Sequence, residues 1–226
     1  ALRSRLDDAR RGDWGDGGDE AEGGGVDGHR RDRHDLRALA DFLSARPDGG
    51  PLADDEIVNN IRLMISGGIN EPRDGIGLVV WTLLTRPDLA QRVAEEPEKW
   101  PKLVEEVLRR HSPVGTVTRQ ATRHVELGGA AIARGDLVSG ILRSMNLDES
   151  RFANPTEIDL DRTERGHAAF AVGFHRCIGE WLGRQEVRVG ARRLWERLDG
   201  LALVEPVVLS GFEFRGPTSL IVSTRG

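Results

Sequence analysis

Cysteine occurs once in this chain of 226 residues, and its neighbourhood gives it chemical interest. Cys177 lies in the run Phe170-Ala171-Val172-Gly173-Phe174-His175-Arg176-Cys177-Ile178-Gly179, immediately ahead of a stretch with helical character. Unpaired amides and the dipole at a helix N-terminus favour a thiolate in that position. Gly173 and Gly179 permit a tight turn and the close approach of a flat ligand, while His175 and Arg176 can offset nearby negative charge. A lone cysteine excludes an internal disulfide and a multi-cysteine zinc or iron–sulfur centre. Taken by itself, Cys177 leaves three readings open: a buried structural thiol, a nucleophile, or a single-point metal ligand.

Two further constellations involve carboxylates. Glu106-Val107-Leu108-Arg109 places an acid and a base three apart on a helix, ordinarily a solvated pair worth roughly 0.2–0.5 kcal/mol. The stretch Gly67-Gly68-Ile69-Asn70-Glu71-Pro72 interrupts a helical pattern and leaves a carboxyl at the interruption. Glu71 either acts as a general acid, its pKa raised towards working pH by burial, or caps and pairs within the kinked helix, with Arg73 as partner. Pro72 removes a helix N–H and sustains the kink.

The elements that must position these groups follow from periodicity and breakers. Helices are predicted from Asp54 through a break at 67–72 to Leu83, from Pro87 to Glu95, from Pro101 to His111, and from Ile178 to Leu198. The first is one long, broken helix with apolar positions Ile57, Ile61, Met64, Ile65, Ile76, Val79, Val80 and Leu83. Pro87 and Pro101 stand at first-turn positions, where a missing N–H costs little. In the last helix Trp181, Leu182, Val189, Trp195 and Leu198 are the expected core contacts. Alternation predicts strands over 116–122 and 137–142, a hairpin of 124–127 with 130–133 about Gly128-Gly129, and strands over 201–209 and 219–224. Residues 146–169 carry no periodicity and read as a polar meander. A short amphipathic helix is expected over 36–45. Residues 12–35, nearly devoid of apolar side chains, are expected to be disordered, as a linker or as out-of-frame translation.

A net charge of −5 gives no concentrated basic surface for nucleic acid or an anionic membrane, so neither partner is expected. No run approaches the roughly 20 apolar residues that cross a bilayer. The first residues lack the apolar core of a secretory signal, which points to a cytoplasmic protein.

The cysteine loop resembles the cytochrome P450 signature Phe-x-x-Gly-x-(His/Arg)-x-Cys-x-Gly at every fixed position. Glu106 and Arg109 resemble the family's Glu-x-x-Arg helix motif, and 152–162 (FANPTEIDLDR) resembles the meander whose arginine, here Arg162, completes a buried triad. The resemblance covers 46–226. It implies a mainly α fold with small β-sheets, the C-terminal half of the cytochrome P450 fold, with 1–45 as a divergent or disordered segment. It implies haem b (Fe-protoporphyrin IX), bound by Cys177 as iron ligand and bordered by Phe170, Gly173, Gly179 and Gly68. Arg119, otherwise an exposed strand residue, and His175 match propionate ligands. The implied activity is hydroxylation or oxidative dealkylation of a small hydrophobic or aromatic substrate, with electrons from a ferredoxin or flavoprotein. The implied pocket wall includes Ile69, Glu71, Val114, Gly115, Thr116, Val117 and Phe214. Arg184, Arg188 and Arg192, four apart, form either a basic docking face for an acidic partner or a solvated helix face.

The pattern departs from the family at the helix break. The usual acid and alcohol that relay protons are replaced by Asn70 and Glu71, which makes these two the candidate catalytic residues and admits a peroxygenase. The family is also about twice as long, so a truncated, inactive remnant is the other alternative.

Overall fold

The structure, a computed structural model, describes residues 52–225. The helix expected over 36–45 and the disorder expected over 12–35 lie outside these residues.

Helix α1 (Asp54–Gly67) begins with Asp54, Asp55 and Glu56, acids that favour the positive end of the helix dipole. Glu56 also accepts a hydrogen bond from the Ala53 amide at 2.8 Å, the backward half of a capping box. Ile57 and Val58 are buried, but Met64 and Ile65, apolar positions of the same periodic pattern, are exposed. The long, broken helix is two helices, separated by a turn at Gly68–Ile69.

Helix α2 (Asn70–Thr85) starts two residues before Pro72, so the missing proline N–H falls in the first turn, where none is needed. The interruption therefore lies before Pro72, and the proline does not cause it. Helix α3 (Pro87–Glu95) has the expected bounds, and α4 (Trp100–His111) follows a 3-10 turn at Pro97–Lys99. Leu78, Val79, Val80 and Leu83 of α2, Leu89 and Val93 of α3, and Leu103, Val104, Val107 and Leu108 of α4 form one core with Val187 and Ala191 of α6 (Glu180–Arg197). Glycines mesh α2 with α6. A Cβ on Gly75 would stand 2.7 Å from Val187 Cγ2, and one on Gly190 would stand 2.5 Å from Ile76 Cδ1. Each helix thus seats a β-branched side chain over a glycine of the other.

The sheets described are all small and antiparallel. Strand β1 (Thr116–Gln120) pairs with β4 (Leu137–Ile141), Thr116 opposite Ile141. The hairpin of β2 (Val125–Leu127) and β3 (Ala130–Ile132) turns at Gly128 and Gly129, both with positive φ, as a two-residue turn of this hand requires. After β4 the chain makes a single helical turn, α5 (Leu142–Met145). The run 201–209 is not one strand. Pro206 divides it into β5 (Ala202–Leu203) and β6 (Leu209–Ser210), which pair with β8 (Val222–Ser223) and β7 (Gly216–Pro217) respectively. Helix α6 also departs from expectation: Trp181, Leu182, Val189 and Leu198 are exposed, and among the expected contacts only Trp195 packs against the core.

The meander owes its order to charge. Glu106 is 3% exposed, and its carboxylate accepts bonds from Arg109 (2.8 and 2.9 Å), Arg162 (2.9 Å) and the Asp159 amide (3.0 Å). Burial pushes its pKa up, but these donors outweigh it and hold the group below the ordinary carboxylate range. The arginines spend their remaining donors on meander carbonyls: Arg109 on Asn146, Pro155 and Glu157, Arg162 on Ala153, Asn154 and Glu157. Phe152 covers the Arg109 guanidinium, 5.2 Å from its ring centroid. Asn146, fully buried, ties the segment at both ends, bonding Ser112 at the end of α4 and accepting from the Ala168 amide. Glu106, Arg109 and Arg162 thus form the expected buried ion network.

Glu106→Ala should lower stability by about 3–5 kcal/mol, because it strands two buried guanidiniums. It should also shorten the acid-unfolding limb. Stabilisation from a depressed carboxyl pKa is present above its unfolded value of about 4.3 and disappears as pH falls through the folded value. Urea unfolding across pH checks both; a midpoint equal to wild type would make the network dispensable.

Candidate functional site

The cysteine loop is held by its own backbone. Extended Val172 leads into a 3-10 turn, Gly173–His175, and Cys177 follows three residues before the first residue of α6. The Cys177 amide donates to the Phe170 carbonyl at 2.9 Å, Arg176 to Gly173 at 3.1 Å, and Ala171 to Ala168 at 2.9 Å. Two residues here have left-handed backbone, Ala171 at φ 57° and Gly173 at φ 74°. Cys177 itself is exposed, and a side chain at Gly173 would meet no atom within 4 Å. Of the residues expected to surround a flat ligand, Phe170, Gly173, Cys177 and Gly179 are brought together in this loop. Its Sγ lies 3.9 Å from the place a Cβ on Gly179 would occupy. His175 is in the same turn and exposed.

Behind the loop lies an ion cluster that the sequence reading missed. Glu105 accepts from His167 Nε2 at 2.9 Å and from Arg184 Nε at 2.6 Å. Arg184 also donates to Glu180 at 2.9 Å, and Glu180 accepts from Arg176 at 2.8 Å. Burial raises the carboxyl pKa of both acids, and the bonds from His167 and Arg184 to Glu105, and from Arg176 and Arg184 to Glu180, bring each below its ordinary value. Arg184 stacks over Phe170, its Cζ 4.3 Å from the ring centroid. It is therefore committed inward and does not belong to a docking stripe. Arg188 and Arg192 bond Gln185 and Glu196 along the exposed face of α6. The available signal was Arg184 at i+4 from Glu180, a spacing that also marks ordinary surface pairs.

Among the other candidates, Gly68 and Asn70 are exposed around the break before α2. Glu71 is half-buried, and its Oε2 is buried without a hydrogen-bond partner among the described residues. Arg73 turns to Asp74 at 2.9 Å, so the expected Glu71–Arg73 pair does not form. Val114 bridges Phe214, the Gly115 amide donates to Glu213 at 2.7 Å, and Thr116 is buried. This brings the expected wall residues 114–117 and 214 to one place. Arg119 is exposed on β1, its guanidinium bonded to the Thr118 carbonyl at 2.8 Å. Neither Arg119 nor Glu71 bonds to the cysteine loop among the described residues.

The loop suits a thiolate-ligated haem. It offers a soft donor on an accessible sulfur, open space at Gly173, and a run of apolar groups left uncovered: Val172, Phe174, Ile178, Trp181 and Leu182 are 56–106% exposed. So many uncovered large apolar side chains within one short stretch of chain suit a surface that something covers. A soft sulfur beside apolar walls matches iron in a macrocycle better than a hard cation. No cluster of three or more histidine, cysteine or acidic side chains able to hold a metal ion exists among the described residues.

Residues 25–199 match the family described as "Cytochrome P450". The chain is 35% identical over 171 residues to the mycinamicin VIII C21 methyl hydroxylase of Micromonospora griseorubida, covering 76% of this chain and 44% of that protein. It is 35% identical over 156 residues to the 6-deoxyerythronolide B hydroxylase of Saccharopolyspora erythraea, covering 69% of this chain and 39% of that protein. The chain thus spans less than half the length of these relatives. Its fold superposes on CYP109Q5 from Chondromyces apiculatus with a TM-score of 0.83 at 29% identity, over 99% of this chain and 53% of that one.

The backbone at Gly173 allows a direct test of the loop. Gly173→Ala should cost about 1–2 kcal/mol, from φ alone since nothing is crowded, and Gly173→Asn should cost less because asparagine tolerates the left-handed region. Thermal melting of both variants checks the order; equal losses would mean the loop does not keep this conformation.

Proposed function

The chain belongs to the cytochrome P450 family, and from that membership we propose that it forms the haem-binding part of a monooxygenase in which Cys177 is the iron ligand. The observation that carries this reading is the accessible Cys177, its amide tied to the Phe170 carbonyl and its surroundings apolar and uncovered. Haem b, the cofactor of the family, supplies oxygen activation when bound, and a thiolate ligand favours O–O cleavage. Phe170, Gly173 and Gly179 in the cysteine loop, and Gly68 at the helix break, would help to hold the macrocycle. Arg119 and His175, both exposed and free of acidic partners among the described residues, serve its carboxylates. Ile69, Thr116, Val117 and Phe214 contribute apolar and small groups to a pocket for a small hydrophobic or aromatic substrate. The names of the relatives, both hydroxylases, support hydroxylation as the reaction class.

Electrons come, in this reading, from a ferredoxin or flavoprotein. Among the described residues no helix is long and apolar enough to cross a membrane, and a cytoplasmic location belongs to the same proposal.

Glu71 is the proton-handling group, with Asn70 beside it. A buried carboxyl oxygen without a partner has unused hydrogen-bonding capacity, which a water or substrate can take up. Asn70, without a titratable proton, orients rather than delivers. The missing acid–alcohol pair also favours a second reading, in which peroxide replaces oxygen and the electron donor.

The reduced carbon-monoxide difference spectrum of haem-loaded protein tests the ligand. Wild type should give the thiolate-type band and Cys177→Ser should lose it, since a hydroxyl is a poor soft ligand; a band that survives the substitution dismisses Cys177. For Glu71, product formed per electron consumed is the measure. Glu71→Gln should keep haem and uncouple turnover by roughly 100-fold or more, the scale of general acid catalysis. Unchanged coupling across pH would remove Glu71 from proton delivery.

A further inference from the structure

Glu105 and Glu106 are neighbours on α4, yet they share no bonding partner. Every bond of Glu105 leads to the cysteine loop, by two routes. On one, Glu105 Oε2 bonds His167 Nε2 at 2.9 Å, and His167 Nδ1 accepts the Ala169 amide at 3.2 Å. That acceptor role leaves the proton on Nε2, the nitrogen that faces Glu105. This arm holds the chain entering the loop, one residue before Phe170, whose carbonyl receives the Cys177 amide. On the other, Glu105 Oε1 bonds Arg184 Nε at 2.6 Å, Arg184 bonds Glu180 at 2.9 Å, and Glu180 bonds Arg176 at 2.8 Å. This arm ends on the residue preceding Cys177. The same guanidinium lies 4.3 Å over the Phe170 ring and so links the two arms.

We infer that Glu105 is a positioning residue for Cys177, gripping the loop on both sides of the sulfur through His167 and through Arg184–Glu180–Arg176. Beyond its three backbone hydrogen bonds, the loop has little else to fix it. Phe174, Cys177 and Ile178 are exposed, and Ala171, a non-glycine residue at φ 57°, strains its backbone. Its geometry therefore depends on anchors outside it, and α4, buried along most of its length, is the rigid element that supplies one. The pairs Glu105–Arg184 and Arg184–Glu180 are directional and partly shielded from water, unlike Arg192–Glu196 on the same helix α6, whereas the last link, Arg176–Glu180, has an exposed guanidinium on a buried carboxylate. The inference rests on the proposed role of Cys177 as ligand, but the positioning itself can be read without haem.

Amide hydrogen exchange on the haem-free chain reads the anchor directly. In Glu105→Ala the Cys177 amide should exchange about tenfold faster or more, because loss of a charged hydrogen bond shifts a local opening equilibrium by at least that factor. The amides of Val79 and Leu83 in the core of α2 should be unchanged, and Glu105→Gln should fall between. Unchanged exchange at Cys177, or parallel acceleration at Val79 and Leu83, overturns the inference. Should Glu105→Ala fail to fold, His167→Gln and Arg184→Lys cut one arm each, and each must loosen Cys177 with the core unchanged. Failure of all three to fold would show a global role for Glu105 and equally overturn it. On haem-loaded protein, Glu105→Ala should convert part of the thiolate-type carbon-monoxide band to the thiol type. A wild type with no thiolate-type band would sink the ligand assignment, while the exchange data would still decide the positioning role.

Discussion

The buried carboxylate of Glu106 sets the terms for much of this structure. An unpaired carboxylate in a core is prohibitively costly, so its position on α4 demands cationic partners. Arg109 comes from the same helix and Arg162 from more than fifty residues downstream, which forces the intervening chain to return. The arginines then impose a second demand, because each guanidinium carries donors in fixed directions that also need acceptors. Those acceptors are the carbonyls of Asn146, Ala153, Asn154, Pro155 and Glu157. A segment with neither helix nor strand thereby has five of its backbone oxygens held by charged donors. Ion pairing takes the place of a ladder.

The next residue along α4 turns the same chemistry to another purpose. Successive side chains on a helix diverge by about 100°, so Glu105 and Glu106 face different neighbours. Glu106 organises the meander, and Glu105 reaches the two flanks of the cysteine loop. Asn146 joins the two regions, because it receives Arg109 on its backbone carbonyl and the Ala168 amide on its side chain, just ahead of the loop. The chain that leaves the meander is therefore aimed before it enters the loop, and Cys177 inherits its place from a helix that it does not touch through any bond of its own.

What could be read in the sequence divides along physical lines. The cysteine loop and the Glu106–Arg109–Arg162 network were legible only through the family motifs they resemble; by their spacing alone Cys177 left three readings open and Glu106–Arg109 read as an ordinary surface pair. Helix α3 was legible because Pro87 and an apolar stripe agree. Helix α6 was not. Its large apolar residues suggested a core face, yet the apolar residues it buries fully are the smaller Val187 and Ala191, where it meets α2 closely through Gly75 and Gly190, and of the expected contacts only Trp195 packs against the core. Amphipathic periodicity weights size, whereas close helix packing selects smallness, and only the partner helix reveals which applies. The run 201–209 misled for a simpler reason, since its largely apolar character outweighed Glu205 and Pro206. Arg184 was placed on a surface stripe because spacing on one helix does not disclose an acid seventy-nine residues away.

The contrast between Glu106 and Glu71 bears on which acids in this chain are structural. Glu106 accepts hydrogen bonds from Arg109, Arg162 and the Asp159 amide, which hold its pKa below the ordinary range against the effect of burial. Glu71 stands in the first turn of α2, where the helix dipole favours its charge, yet one oxygen is buried and bonded to nothing among the described residues. A satisfied acid is locked by its partners, and exchanging its proton would break several bonds at once. An acid with a vacant acceptor has one hydrogen bond still to make. The two carboxylates therefore differ in consequence more than in kind, and the difference lies in how completely the surrounding chain has spent its donors on each.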